Sequence, residues 1–87
     1  MSRIYELSCH SDQIIQQLKE GKLKGLKHVY KPKDALGGIS LWPDGITDET
    51  NNSAWFEDNM ILVWGTNDIT NIQTLLNENG ITLRYIG

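Results

Sequence analysis

Eighty-seven residues with 39% hydrophobic and 22% charged side chains make one globular domain near the lower size limit, since a chain this short buries only about 60–65% of its unfolded surface. That composition excludes global disorder, the lone Cys9 excludes an internal disulfide, and no apolar run approaches the roughly 20 residues that a membrane-spanning helix needs. The net charge of −3 hides a polarised chain: residues 1–34 carry seven basic and four acidic side chains, the remainder one basic and seven acidic. Nothing at the amino terminus resembles a signal peptide, so the cytoplasm is the expected location.

In chain order, residues 3–9 alternate Tyr5, Leu7 and Cys9 against Ile4, Glu6 and Ser8, which predicts a first strand. Ser11 is placed to cap a short helix, with Asp12 in its first turn, Ile14, Ile15 and Leu18 as its apolar stripe and Gly21 as a left-handed stop. Lysine dominates residues 22–33, yet residues 26–30 have strand composition, ended by Pro32. Residues 36–42 alternate Ile39 and Leu41 against Ser40 and Trp42, so a second strand is expected to pair back onto 26–30 as a hairpin and to offer an edge. Pro43, Asp44 and Gly45 then signal a turn.

Residues 46–54 are polar, acidic and without sustained period, the pattern of a surface loop. Trp55 and Phe56 interrupt the polarity, folding either over the core as a lid or outward as a contact patch. The run Met60-Ile61-Leu62-Val63-Trp64, closed by Gly65, reads as a central strand buried on both faces. Asn67 or Thr66 can cap a helix whose apolar positions are Ile69, Ile72, Leu75 and Leu76, and Thr70 with Gln73 fits a capping box one turn later. Gly80 ends that helix with Ile81 touching back on Leu76, and residues 81–86 form the last strand.

A strand, helix and closing strand over 60–86 form a crossover whose two strands are parallel in one sheet. The expected class is therefore α/β, more strictly α+β. The expected architecture is a two-layer sandwich with a mixed sheet of four to five strands, two helices on one face, and a ferredoxin-like variant topology over the single domain 1–87. Such a fold carries many functions and by itself implies none.

Chemistry has little foothold. Cys9 and His10 are neighbours, but adjacent strand residues point to opposite faces, so a buried cysteine beside a capping-region histidine is expected rather than a nucleophile and its base. His28, among lysines, is expected to be a free surface histidine. There are no paired cysteines and no histidines one turn apart. Asp44, Asp48 and Glu49 lack the spacing of a calcium loop, so no metal and no cofactor are expected.

Two binding surfaces are legible. Residues 44–58 hold five acids and no base, framed by Trp42, Trp55 and Phe56. With Asp44, Asp48, Glu49, Glu57 and Asp58, these aromatics suit a non-enzymatic module of the inhibitor or immunity type that covers a basic partner protein. The alternative is a small-ligand or nucleotide-binding regulatory domain. It would use backbone donors at Gly65, Thr66 and Asn67 together with Lys24, Lys27, Lys31 and Lys33. Direct nucleic-acid binding is not expected, because the lysines lack an aromatic platform on the same element. A homodimer through the edge near 36–42 is a further expectation.

Overall fold

The computed structural model describes residues 2–30 and 44–87. The chain runs through β1 (Ser2–Leu7), α1 (Ser11–Lys19), β2 (Leu26–Tyr30), β3 (Asp44–Asp48), β4 (Ser53–Glu57), β5 (Met60–Trp64), α2 (Thr70–Glu78) and β6 (Leu83–Tyr85). The strands form one sheet of six in the order β2-β3-β4-β5-β1-β6, and every neighbouring pair is antiparallel. This corrects the expected mixed sheet of four to five strands. β5 and β6 do run parallel, as the crossover requires, but β1 lies between them and pairs antiparallel with both. The parallel relation therefore exists without a parallel ladder.

The two extra strands come from residues expected to be a turn and a loop. β2 finds its hairpin partner in β3, with Val29 opposite Gly45, and β3 turns back into β4. Asp44 and Asp48 occupy inward positions of β3 on either side of Ile46, so charge masks the alternation that marks a half-buried strand. The predicted strand at 36–42, with its edge, lies outside the described residues. The loop from β4 to β5 has two residues, Asp58 and Asn59, and Asp58 takes the positive φ of 51° that such tight hairpins favour.

Register sorts side chains onto two faces. One face gathers Leu7, Ile61, Val63, Phe56, Ala54, Ile46 and Leu26, and onto it pack Ile14 and Leu18 of α1 and Ile72 and Leu76 of α2 as a single core. Both helices therefore cover the same face. Ile14, Ile46, Ile61, Ile72 and Leu76 are wholly buried, each contributing about 2 kcal/mol by removal from water. β5 is central, and Ile61, Leu62 and Val63 are buried as the run predicted, whereas Trp64 at its end is exposed.

Both helices stop as predicted. Lys22 N–H donates to the Gln17 carbonyl and Gly21 N–H to that of Leu18. At the second helix Ile81 donates to Leu76 and Gly80 to Asn77, the paired bonds of a Schellman stop made possible by φ of 72° and 79° at the two glycines. The starts differ from expectation. His10, not Ser11, caps α1: its Nδ1 accepts the Asp12 N–H at 3.1 Å, while Ser11 is buried in the first turn with its N–H donating to the Asp58 carbonyl. Helix α2 begins only at Thr70, whose N–H and hydroxyl both donate to the Asp68 carboxylate.

Cys9 follows β1 and is partly buried, and that burial pushes its thiol above the usual range. Less thiolate is present at neutral pH, so alkylation with iodoacetamide is expected to be several-fold slower in the folded protein than in urea. Equal rates in the two conditions would contradict this.

Candidate functional site

Three elements and one turn converge at one end of the sheet. Alternation points Asp44 of β3 and Phe56 of β4 toward the helices, Glu57 and Asp58 follow at the β4–β5 turn, and the Ser11 N–H bond to Asp58 draws the start of α1 against that turn. The result is an open cleft of about 400 Å³ lined by His10, Ser11, Asp12, Ile15, Asp44, Phe56, Glu57 and Asp58. Phe56 forms its apolar wall and is itself buried.

The cleft is acidic. Among the described residues, no lysine or arginine lies within ion-pair distance of Asp12, Asp44, Glu57 or Asp58. Their neighbours are histidines. His28 Nε2 stands 2.7 Å from Asp44 Oδ1, and His10 places Nδ1 3.6 Å from Asp12 and Nε2 3.9 Å from Asp58. His28 is not the free surface residue expected from its lysine neighbours. It shares the inward face of β2 with Leu26, opposite Ile46, and only 17% of its side chain is exposed. The alternation of Leu26, His28 and Tyr30 carried that signal.

The structure divides the predicted acidic-aromatic segment. Asp44, Phe56, Glu57 and Asp58 come together at the cleft, whereas Trp55, one residue from Phe56, lies on the opposite face of the sheet. Asp48 and Glu49 sit at the other end of β3, bordering a second open cleft of about 360 Å³ with Gly25, Lys27 and Asn51. Glu49 is exposed there. Asp48 is 5% exposed, and its carboxylate accepts from the Thr50 N–H and hydroxyl and the Asn52 N–H through Oδ1, and from the Asn71 amide through Oδ2. Trp42 lies outside the described residues.

The alternative ligand site is also dispersed. Gly65, Thr66 and Asn67 follow β5, whereas Lys24 and Lys27 lie before and within β2, three strand spacings, or about 14 Å, across the sheet. Lys31 and Lys33 fall outside the described residues. One of the junction's donors, the Asn67 N–H, is already engaged, as is the Asp68 N–H next to it. Asn67 N–H reaches the Trp64 carbonyl, Asp68 N–H the Asn52 side chain, and Asn67 Oδ1 accepts the Ser53 N–H. Bonds from the Thr70 hydroxyl and N–H hold the Asp68 carboxyl below the usual carboxylate range, which places a negative charge where an anion would have to approach.

Among the described residues, no group of three histidine, cysteine or acidic side chains is arranged to hold a metal ion, and no helix is long and apolar enough to cross a membrane. No protein-family model, curated protein or solved structure matches the chain.

Proposed function

We propose that this protein is a small non-enzymatic binding module, of the inhibitor or immunity type, that covers a basic surface of a partner protein with the acidic cleft. One observation carries the reading: four carboxylates from three separate stretches, Asp12, Asp44 and the pair Glu57 and Asp58, surround a cleft walled by Phe56 without a lysine or arginine within ion-pair distance among the described residues. Charge of one sign raises the rate of encounter with an oppositely charged surface, and a partner lysine or arginine supplies a counter-charge. The small-ligand alternative draws less support, because the Asn67 N–H is spent on the Trp64 carbonyl and the Asp68 carboxylate stands beside the junction.

Two finer readings belong to the same proposal. A cytoplasmic partner fits a chain with one unpaired cysteine. The topology reads as a ferredoxin-like variant. Removing two adjacent strands, β3 and β4, from the order β2-β3-β4-β5-β1-β6 leaves a four-stranded sheet with two interleaved strand-helix-strand units.

A lysine-rich peptide serves as a probe of the cleft. The triple variant Asp44→Asn, Glu57→Gln, Asp58→Asn is expected to bind it about 10-fold more weakly than the wild type and with a shallower salt dependence. Changing the remote Glu78→Gln should leave both unaltered. Equal affinities for the triple variant and the wild type would sink the proposal.

A further inference from the structure

Helix α2 ends on the dipeptide Asn79-Gly80, and of the seven asparagines in the chain only Asn79 is followed by glycine. Glycine matters here because no side chain stands between its backbone nitrogen and the side-chain carbonyl of the residue before it. The other asparagines precede bulkier residues: Asn52 is followed by Ser53, Asn59 by Met60 and Asn71 by the buried Ile72. Asn79 and Gly80 are both exposed, and no atom lies within 4 Å of where a Cβ on Gly80 would stand, so water reaches the pair.

We propose that Asn79 is a site of spontaneous covalent modification, deamidation through a cyclic imide, whose rate is set by opening of the helix stop. The Gly80 nitrogen attacks Asn79 Cγ, the bond from Cγ to Nδ2 breaks, and ammonia leaves carrying the proton from Gly80. Water then opens the five-membered imide at either carbonyl. One opening gives aspartate, and the other gives isoaspartate, in which the main chain runs through the former side chain. Nothing is oxidised or reduced, and water is the only co-reactant.

Three hydrogen bonds oppose the first step. The Gly80 N–H that must be given up donates to the Asn77 carbonyl at 3.0 Å, and Asn79 Nδ2 donates to the Leu75 carbonyl at 2.8 Å, which ties the target amide back along the helix. The Asn79 N–H donates to the Leu76 carbonyl at 2.9 Å and fixes the backbone between them. All three lie in the last turn, where a helix opens at the least cost, so the stop slows the reaction without abolishing it. The product then undoes the stop. A carboxylate at position 79 cannot donate to Leu75, and it stands at the negative end of α2, whose last turn holds Glu78 and no basic residue. Isoaspartate also lengthens the backbone just before Ile81, whose N–H bonds the Leu76 carbonyl at 3.0 Å and whose side chain is buried in the core.

The test incubates the full chain at mildly alkaline pH in buffer and in guanidinium chloride, following intact mass and peptide maps over days. A species about 1 Da heavier is expected in both, localised to Asn79, split between aspartate and isoaspartate, and formed about 10-fold more slowly in buffer. Isomerisation at Asp44-Gly45 adds no mass and does not enter the reading. Asn79→Gln should remove the early heavy species in guanidinium. Asn79→Asp, which copies the charge of the product, should melt about 5 °C below the wild type. Mass gained first at another asparagine, equal rates in the two media, or no gain in buffer over about 30 times the interval needed in guanidinium overturns the proposal. An unchanged melting temperature in Asn79→Asp overturns its consequence for the fold.

Discussion

Replacing Asp48 by alanine is expected to lower the unfolding free energy by about 3 kcal/mol, because it strips the partner from the Thr50 and Asn52 N–H groups inside a tight loop. The loss does not stop at β3. Asn71 reaches the same carboxylate from α2, and Asn52 in turn accepts from Asp68, so Asp48 joins the β3–β4 loop to the start of the second helix. Asparagine in its place keeps an acceptor of the same shape and should cost about 1 kcal/mol. Urea unfolding of the two variants separates them, and equal losses would show that the full carboxylate, rather than the shape and single acceptor that asparagine keeps, is what matters.

The same residue predicts a pH dependence. Burial raises the Asp48 carboxyl, but the four donors outweigh it, and the net position is below the usual range. A carboxyl depressed in the folded state adds stability that is fully present above its unfolded value, near pH 4, and that disappears as pH falls through the lower folded value. The advantage of the wild type over Asp48→Asn should accordingly hold at about pH 7 and shrink progressively as the pH falls below about 4. A gap that is independent of pH would assign the stabilisation to something other than the charge.

Gly45→Val is expected to destabilise by about 3 kcal/mol and Gly45→Ala by about 2, a fall in Tm near 10 °C for the milder change. The new Cβ would stand 2.7 Å from the Ala54 carbonyl as well as against the indole of Trp55, so both backbone and ring must give way. Trp55→Ala in the Gly45→Ala background should recover about 1 kcal/mol of coupling, since it relieves the ring contact and leaves the carbonyl. Full additivity of the two changes would mean that the indole does not rest on β3.

Much of this architecture is legible in the chain. Both helices and four of the strands follow from periodicity and from the glycine stops at Gly21 and Gly80. The Met60–Trp64 run is central, as its continuous apolar character implies. β3 and β4 escape the same reasoning for two physical reasons. Asp44 and Asp48 fill inward positions because His28 and the Thr50–Asn52 loop satisfy them, and no composition rule anticipates a partnered acid. Trp55 and Phe56 look like one cluster in the sequence, but a strand sends neighbours to opposite faces. One therefore walls the cleft and the other paves the outer face. The dipeptide Asp58-Asn59 between two apolar runs was the available hairpin signal. The acidic part of the site was readable as charge and His10 as a capping-region histidine, whereas the place of His28 depends on register, which only the folded sheet supplies.

Finally, β1 pairs with nothing near it in the chain: Ser2 meets Trp64, and Tyr5 meets both Ile61 and Tyr85. During synthesis at about 5–20 residues per second, the strand waits several seconds before its first partner is made and longer for its second. The native partners of β1 are synthesised only after it, while β3, β4 and β5 pair with their neighbours in the chain. The sheet of this domain is thus completed by placing its earliest strand between two of its latest.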